Sequence, residues 1–174
     1  ARGSGNLTMN DKIPLFPKTA RNALALVGFV GLCLVVGGLG AALTSPGLEP
    51  WYAGLQKPSF NPPGWIFGPV WTTLYILMGY AVWRIWAHDP HPLQAKAVQV
   101  FFVQLALNLS WSGAFFFMQS PSLGLVVIIC LLAAIVTTMF LFFKLDRLAG
   151  ALFVPYVLWV GFATVLNLSI FLLN

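Results

Sequence analysis

ALALVGFVGLCLVVGGLGAAL, Ala23 to Leu43, is a run of 21 residues without a single charge. Wound as a helix at ~1.5 Å per residue it reaches ~30 Å, the thickness of a bilayer's hydrocarbon core. Four more runs of the same kind follow, at about Trp65–Trp86, Ala97–Met118, Ser122–Phe143 and Ala149–Leu172. None of them alternates apolar and polar residues as a half-buried strand would. The fold class they predict is an all-α membrane protein, a five-transmembrane-helix bundle.

The composition agrees. Of 174 residues, 59% are hydrophobic and 7% charged, against about 25% charged in a soluble domain. So few charges cannot cover a water-facing surface, whereas a lipid-facing one needs no such cover. The net charge of +5 forms no basic stripe, only short clusters between apolar runs, which argues against a nucleic-acid partner. Cys33 and Cys130 each sit inside an apolar run with no CxxC spacing, and read as small buried hydrophobes.

Residues 1–22 form a polar N-terminal segment. Its opening ARGSGNLT (1–8) reads as an expression remnant, with Met9 as the expected natural start. Residues 23–174 form the membrane domain. Its breaks carry turn chemistry. Loop 1 (44–64) holds Pro46, Pro50, Pro58, Pro62 and Pro63; loop 2 holds Asp89-Pro90 and His91-Pro92. Loop 3 is Gln119-Ser120-Pro121, and loop 4 holds Lys144, Asp146 and Arg147. Five spans put the N-terminus, loop 2 and loop 4 on one side, with Lys12, Lys18, Arg21, Arg84, Lys96, Lys144 and Arg147 once Arg2 of the remnant is set aside. The other side carries only Lys57. The positive-inside rule then places the N-terminus in the cytoplasm and loop 1 and the C-terminus outside.

Inside the runs there is no Asp, Glu, Lys or His; Arg84 lies near an end, where it can snorkel. Pumps and ion-coupled transporters use such groups, and conventional acid–base or metal catalysis lacks its parts here. His88 and His91 read as residues of a solvated loop, so no metal site and no cofactor are expected. The polar and aromatic residues say more. Gln104 and Asn108 are four apart and share a helix face, as do Tyr156, Trp159, Ala163 and Asn167 on the fifth run and Trp71 and Tyr75 on the second. These faces either line a pocket for a large flat ligand or hydrogen-bond between helices as glue. Trp65, Trp83 and Trp86 at run ends read as an interfacial belt. Ala106, Ser110 and Ala114 form a small-residue strip, a dimer face or close packing within the bundle. The proline-rich and aromatic loop 1 reads as an ordered lid rather than a flexible linker.

Several motifs resemble one family. They are Trp51-Tyr52, Lys57-Pro58, Asn61-Pro62-Pro63, the stretch Trp65-Ile66-Phe67-Gly68-Pro69-Val70-Trp71-Thr72-Thr73-Leu74-Tyr75, Gln104-Leu105-Ala106-Leu107-Asn108 with Trp111, Pro155-Tyr156-x-x-Trp159, and Phe162 to Asn167. Together they resemble the TspO/MBR family of translocator proteins, also called peripheral-type benzodiazepine receptors, over about Leu24 to Asn167. A bacterial member living in the cell membrane is the expectation. The resemblance implies a homodimer and a pocket below loop 1 for porphyrins such as protoporphyrin IX, sterols or synthetic drugs. Carried over, the ligand-binding residues are Tyr52, Trp71, Gln104, Asn108, Trp159 and Ala163. The resemblance implies a receptor or transport role in tetrapyrrole homeostasis or stress. Alternatives are light-dependent porphyrin degradation, with Trp71 or Trp159 as the oxidisable indole and no other catalytic residue, and a sterol or lipid translocator or scaffold. Two departures stand out. Phe60 occupies a loop position that is often Trp, and no Tyr and basic residue follow Asn167 as in the animal sterol motif.

Overall fold

The computed structural model describes residues 18–174; the expectations for the remnant at 1–8, Met9, Arg2 and Lys12 lie outside the described residues. Among the described residues every regular element is helical, and five stretches are long and apolar enough to cross a membrane. The helices are α1 (Lys18–Gly47), α2 (Phe67–Ala87), α3 (Gln94–Ser112), α4 (Pro121–Leu145), α5 (Arg147–Leu152) and α6 (Val154–Leu173). The short α5 and α6 together make the fifth span.

Local chemistry ends each helix. α1 outlasts its apolar run by one turn and breaks at Glu49, whose φ/ψ of −126°/135° is extended. Glu49 precedes Pro50, and a residue before proline is pushed out of the α region. Past this break loop 1 resumes helical turn up to Tyr52, and a further turn at Gly64–Ile66 follows an irregular centre. At the end of α2, Gln94 Nε2 reaches back to the carbonyls of Ile85 (2.8 Å) and Trp86 (3.2 Å), satisfying acceptors that the helix itself leaves open. α3 runs into a π-turn, Gly113–Phe117, and Gln119 at φ 51° reverses the chain. Ser120 then caps α4, with Pro121 in its first turn. Asp146 caps α5 through the amides of Leu148 (2.8 Å) and Ala149 (3.2 Å).

α4 is the spine. Its buried residues Gly124, Ile128, Leu131, Ile135, Thr138, Phe142 and Leu145 alternate steps of four and three, the heptad of knobs-into-holes packing. α1 is peripheral and buries only Cys33, Gly40 and Gly47. It approaches α2 closely where no side chain intervenes: a Cβ on Gly79 would come within 2.5 Å of Val30 Cα.

The two ends of the bundle differ. At one, Asn174 pairs with the Gln56 backbone through two hydrogen bonds of 3.0 Å, tying loop 1 to α6. At the other, Arg84 pairs with Asp146 at 2.7 Å. Arg84 is thus ion-paired, where the sequence suggested a snorkelling side chain. Cys33 is buried and Cys130 exposed; the second departs from the buried reading because an apolar helix face in a membrane needs no cover. Trp65 and Trp86 are exposed, whereas Trp83 donates to the Asn22 carbonyl at 2.9 Å. Of the small-residue strip, Ala106 and Ser110 are exposed and Ala114 is buried.

Candidate binding cavity

Below loop 1, α1, α2 and α3 enclose a cavity of about 690 Å³, within the ~300–1,000 Å³ of small-molecule sites. Its α2 wall is Phe67, Gly68, Trp71, Thr72 and Tyr75; Asn108, Trp111, Ser112 and Phe116 face it from α3 and the π-turn. Tyr52, Asn61 and Pro62 form the roof. Lys, Arg, Asp, Glu and His are all missing from the lining.

Trp71 anchors the aromatic wall. Its ring centroid lies 5.8 Å from Tyr75, 6.4 Å from Trp111 and 6.3 Å from Tyr156. These are separations at which rings attract through offset or edge contacts. The lid is held by the same kind of contact. Tyr52 sits 5.4 Å from Phe116, and Trp51 sits 5.6 Å from Phe115. Tyr52 also donates to Asn61 Oδ1 at 3.2 Å and carries Lys57 Nζ 4.7 Å over its ring. The π-turn makes this docking surface, because its wider winding buries Ala114 and Phe115 while Phe116 reaches the cavity.

Behind the wall runs a buried polar chain. The Tyr75 hydroxyl donates to Asn108 Oδ1. Asn108 Nδ2 donates to the Tyr156 oxygen at 2.7 Å, and Tyr156 donates to Gln104 Oε1 at 2.9 Å. Gln104 Nε2 ends on Met78 Sδ at 3.7 Å. Each donor feeds the next acceptor, so the amide orientations are set by the chain. A second bridge joins Trp111 Nε1 to Asn167 Oδ1 at 3.1 Å, while Asn167 Nδ2 reaches the Pro121 carbonyl at 2.8 Å.

The residues expected to bind a ligand therefore divide. Tyr52, Trp71 and Asn108 line the cavity. Gln104 is fully buried behind it, and both amides bridge helices, Gln104 to Tyr156 and Asn108 to Tyr75 and Tyr156. Ala163 is buried in the core. Trp159 meets Phe67 edge-on (5.7 Å) and Phe162 at a tilt (5.6 Å), off the lining, and its buried Nε1 has no hydrogen-bond partner among the described residues. Sequence reasoning missed the α1 contribution of Gly37, Gly38, Gly40, Ala41 and Thr44. The available signal was the Gly-rich stretch Gly37-Gly38-Leu39-Gly40, which leaves room where a side chain would fill it. Phe116 was missed too, since nothing in FFF marks a π-turn. Among the described residues no three His, Cys, Asp or Glu side chains converge to hold a metal ion.

The chain is similar to known proteins along most of its length. The family model for TspO/MBR matches residues 29–173. The tryptophan-rich protein TspO of Chlorobaculum tepidum is 44% identical over 155 residues, covering 88% of this chain and 98% of that relative. The protein of the same name from Archaeoglobus fulgidus is 40% identical over 153 residues, 88% of this chain and 99% of its own length. The human translocator protein is 40% identical over 120 residues, 67% of this chain and 70% of its own. With a family match across nearly the whole membrane domain and two relatives at 40% identity or more over almost their full length, the chain belongs to the TspO/MBR family.

Proposed function

We propose that this chain is a membrane receptor or transport protein that binds porphyrins, protoporphyrin IX among them, and related flat hydrophobic molecules in the cavity under loop 1. The observation that carries the reading is an uncharged 690 Å³ cavity walled by Trp71, Tyr75 and Trp111. A planar apolar ligand gains ring stacking there, and its polar edge meets Asn108 and the Tyr52 hydroxyl. Tetrapyrrole homeostasis or stress response is the role that fits, in a bacterial cell membrane and as a homodimer. Trp159 supports Phe67 from behind, so its part is to shape the wall.

A second reading, light-dependent degradation of the bound porphyrin, draws on the same wall. Trp71 lies within 6.4 Å of Trp111, Tyr75 and Tyr156, so an oxidisable indole with neighbouring phenols would adjoin an excited pigment. Dioxygen would be the oxidant, added to the pigment.

Both readings are tested by titrating protoporphyrin IX into the detergent-solubilised protein in the dark, following tryptophan quenching, and then illuminating. Saturable quenching weakened about tenfold by Asn108→Ala or Trp71→Phe, and less by Trp159→Phe, supports the cavity. Unchanged affinity in folded Asn108→Ala and Trp71→Phe removes it. Loss of the pigment spectrum that requires Trp71 favours degradation, and identical bleaching in empty micelles rules it out. Absence of saturable quenching moves sterol or lipid translocation to first place.

A further inference from the structure

We infer that the cavity fills sideways, from the hydrocarbon phase, through a portal between α1 and α2 framed by Gly38, Ala41, Gly68 and Thr72. The inference rests on the binding reading above and names the route by which a bilayer-dissolved ligand enters.

The lid is fastened on three sides. Asn174 holds the Gln56 backbone by two hydrogen bonds. Trp51 and Tyr52 pack on Phe115 and Phe116. Phe60 meets Phe162 at 6.2 Å. Opening from above would break all of these together.

The α1–α2 side is built otherwise. The two antiparallel helices touch at Gly79, where a Cβ would strike Val30, and again at Gly37, where it would come within 2.6 Å of the Tyr75 ring. Beside this line of contact, on the exposed face of the pair, the space is open. A Cβ on Gly38 or Gly68 would meet nothing within 4 Å. Leu34, Gly38 and Ala41, spaced by four and three, form one stripe of α1 that both lines the cavity and is exposed, as does Leu48 just beyond the helix. Gly68 and Thr72, four apart on α2, do the same. The Thr44 and Thr72 hydroxyls donate to the carbonyls of Gly40 and Gly68, each at 2.8 Å. A passing apolar ligand therefore meets no unsatisfied hydroxyl hydrogen at these threonines. The opening lies within the apolar run of α1, so it faces lipid tails rather than water.

The experiment is stopped-flow tryptophan quenching by protoporphyrin IX in the dark, with the full chain in phosphatidylcholine nanodiscs. Gly38→Leu and Gly68→Leu narrow the portal, and the open space at both glycines lets the variants fold. Association and dissociation rates should both fall roughly tenfold, because a narrowed gate raises the barrier crossed in both directions; both glycines also line the cavity, so the two rates and not the affinity are the readout. Asn174→Ala, which loosens the lid, should leave both rates unchanged. Unaltered rates in the two leucine variants overturn the portal. Faster exchange in Asn174→Ala overturns it in favour of the lid. A rise in the dissociation rate alone makes the glycines part of the binding wall and also overturns it. A parent protein with no saturable quenching fails the binding reading itself, before any variant is compared.

Discussion

At the scale of single residues, Asp146 shows how one charge serves two elements. Its carboxylate accepts from Arg84 Nε at 2.7 Å and from two amides of α5. Burial works to raise its pKa, but the hydrogen bonds from Arg84 and from the amides of Ala149 and Leu148 outweigh it and hold the carboxyl below the usual carboxylate range. A carboxyl whose pKa is depressed on folding stabilises the fold above its unfolded value of about 3.9 and loses that contribution as pH falls through the folded value. The melting temperature should thus be flat from neutral pH to about 4 and drop below it. Asp146→Asn keeps an N-cap but removes the ion pair. It should lower the neutral-pH melting temperature, by an amount equivalent to roughly 1 kcal/mol for a partly exposed pair, and flatten the acid limb. An acid limb as steep as the parent's would assign the proton uptake elsewhere. The amides of α3 teach a related lesson. Spacing put Gln104 and Asn108 on one face, but both are almost fully buried, and only the chain through Tyr75 and Tyr156 decides which one reaches the cavity. That choice is made by side chains distant in sequence, so no local pattern records it.

At the scale of elements, the close approach of α1 and α2 rests on a missing side chain. Gly79→Leu must push Val30 backbone away, an overpacking that costs about 1–3 kcal/mol. The matched control is Gly161 of α6, where a Cβ would meet nothing within 4 Å. Gly161→Ala should hold or raise the melting temperature, since alanine outdoes glycine in a helix by up to ~1 kcal/mol. Thermal unfolding of both variants in one detergent checks the pair, and equal behaviour would deny that α1 packs backbone to backbone. The five membrane helices were legible because length and apolarity alone select them. The break at Glu49 and the π-turn at Gly113–Phe117 were harder to read. Glu49 has a stated cause in Pro50, so its departure from helix was readable in principle. The π-turn meets its partners Trp51 and Tyr52, through Phe115 and Phe116, across some 60 residues of sequence, so no local pattern marks it.

At the scale of the whole molecule, the two ends carry different charge. Arg21, Lys96, Lys144 and Arg147 are exposed at the end that holds the Arg84–Asp146 pair, whereas the lid end has Lys57 and Glu49. Positive residues flanking spans are retained on the cytoplasmic side, so we expect the lid and Asn174 to face away from the cytoplasm. Cysteine labelling in intact cells tests this, on a Cys130→Ala background in which the remaining Cys33 is buried. Ser59→Cys, exposed in the lid, should react with a membrane-impermeant maleimide without permeabilisation. Asp89→Cys, exposed in the loop between α2 and α3, should react only after it. The reverse pattern would invert the bundle and place the cavity roof in the cytoplasm. If the proposed portal carries the ligand, its place at the loop 1 ends of α1 and α2 makes the same labelling name the leaflet that supplies it: the outer one if Ser59→Cys reacts without permeabilisation, the inner one if the pattern is reversed.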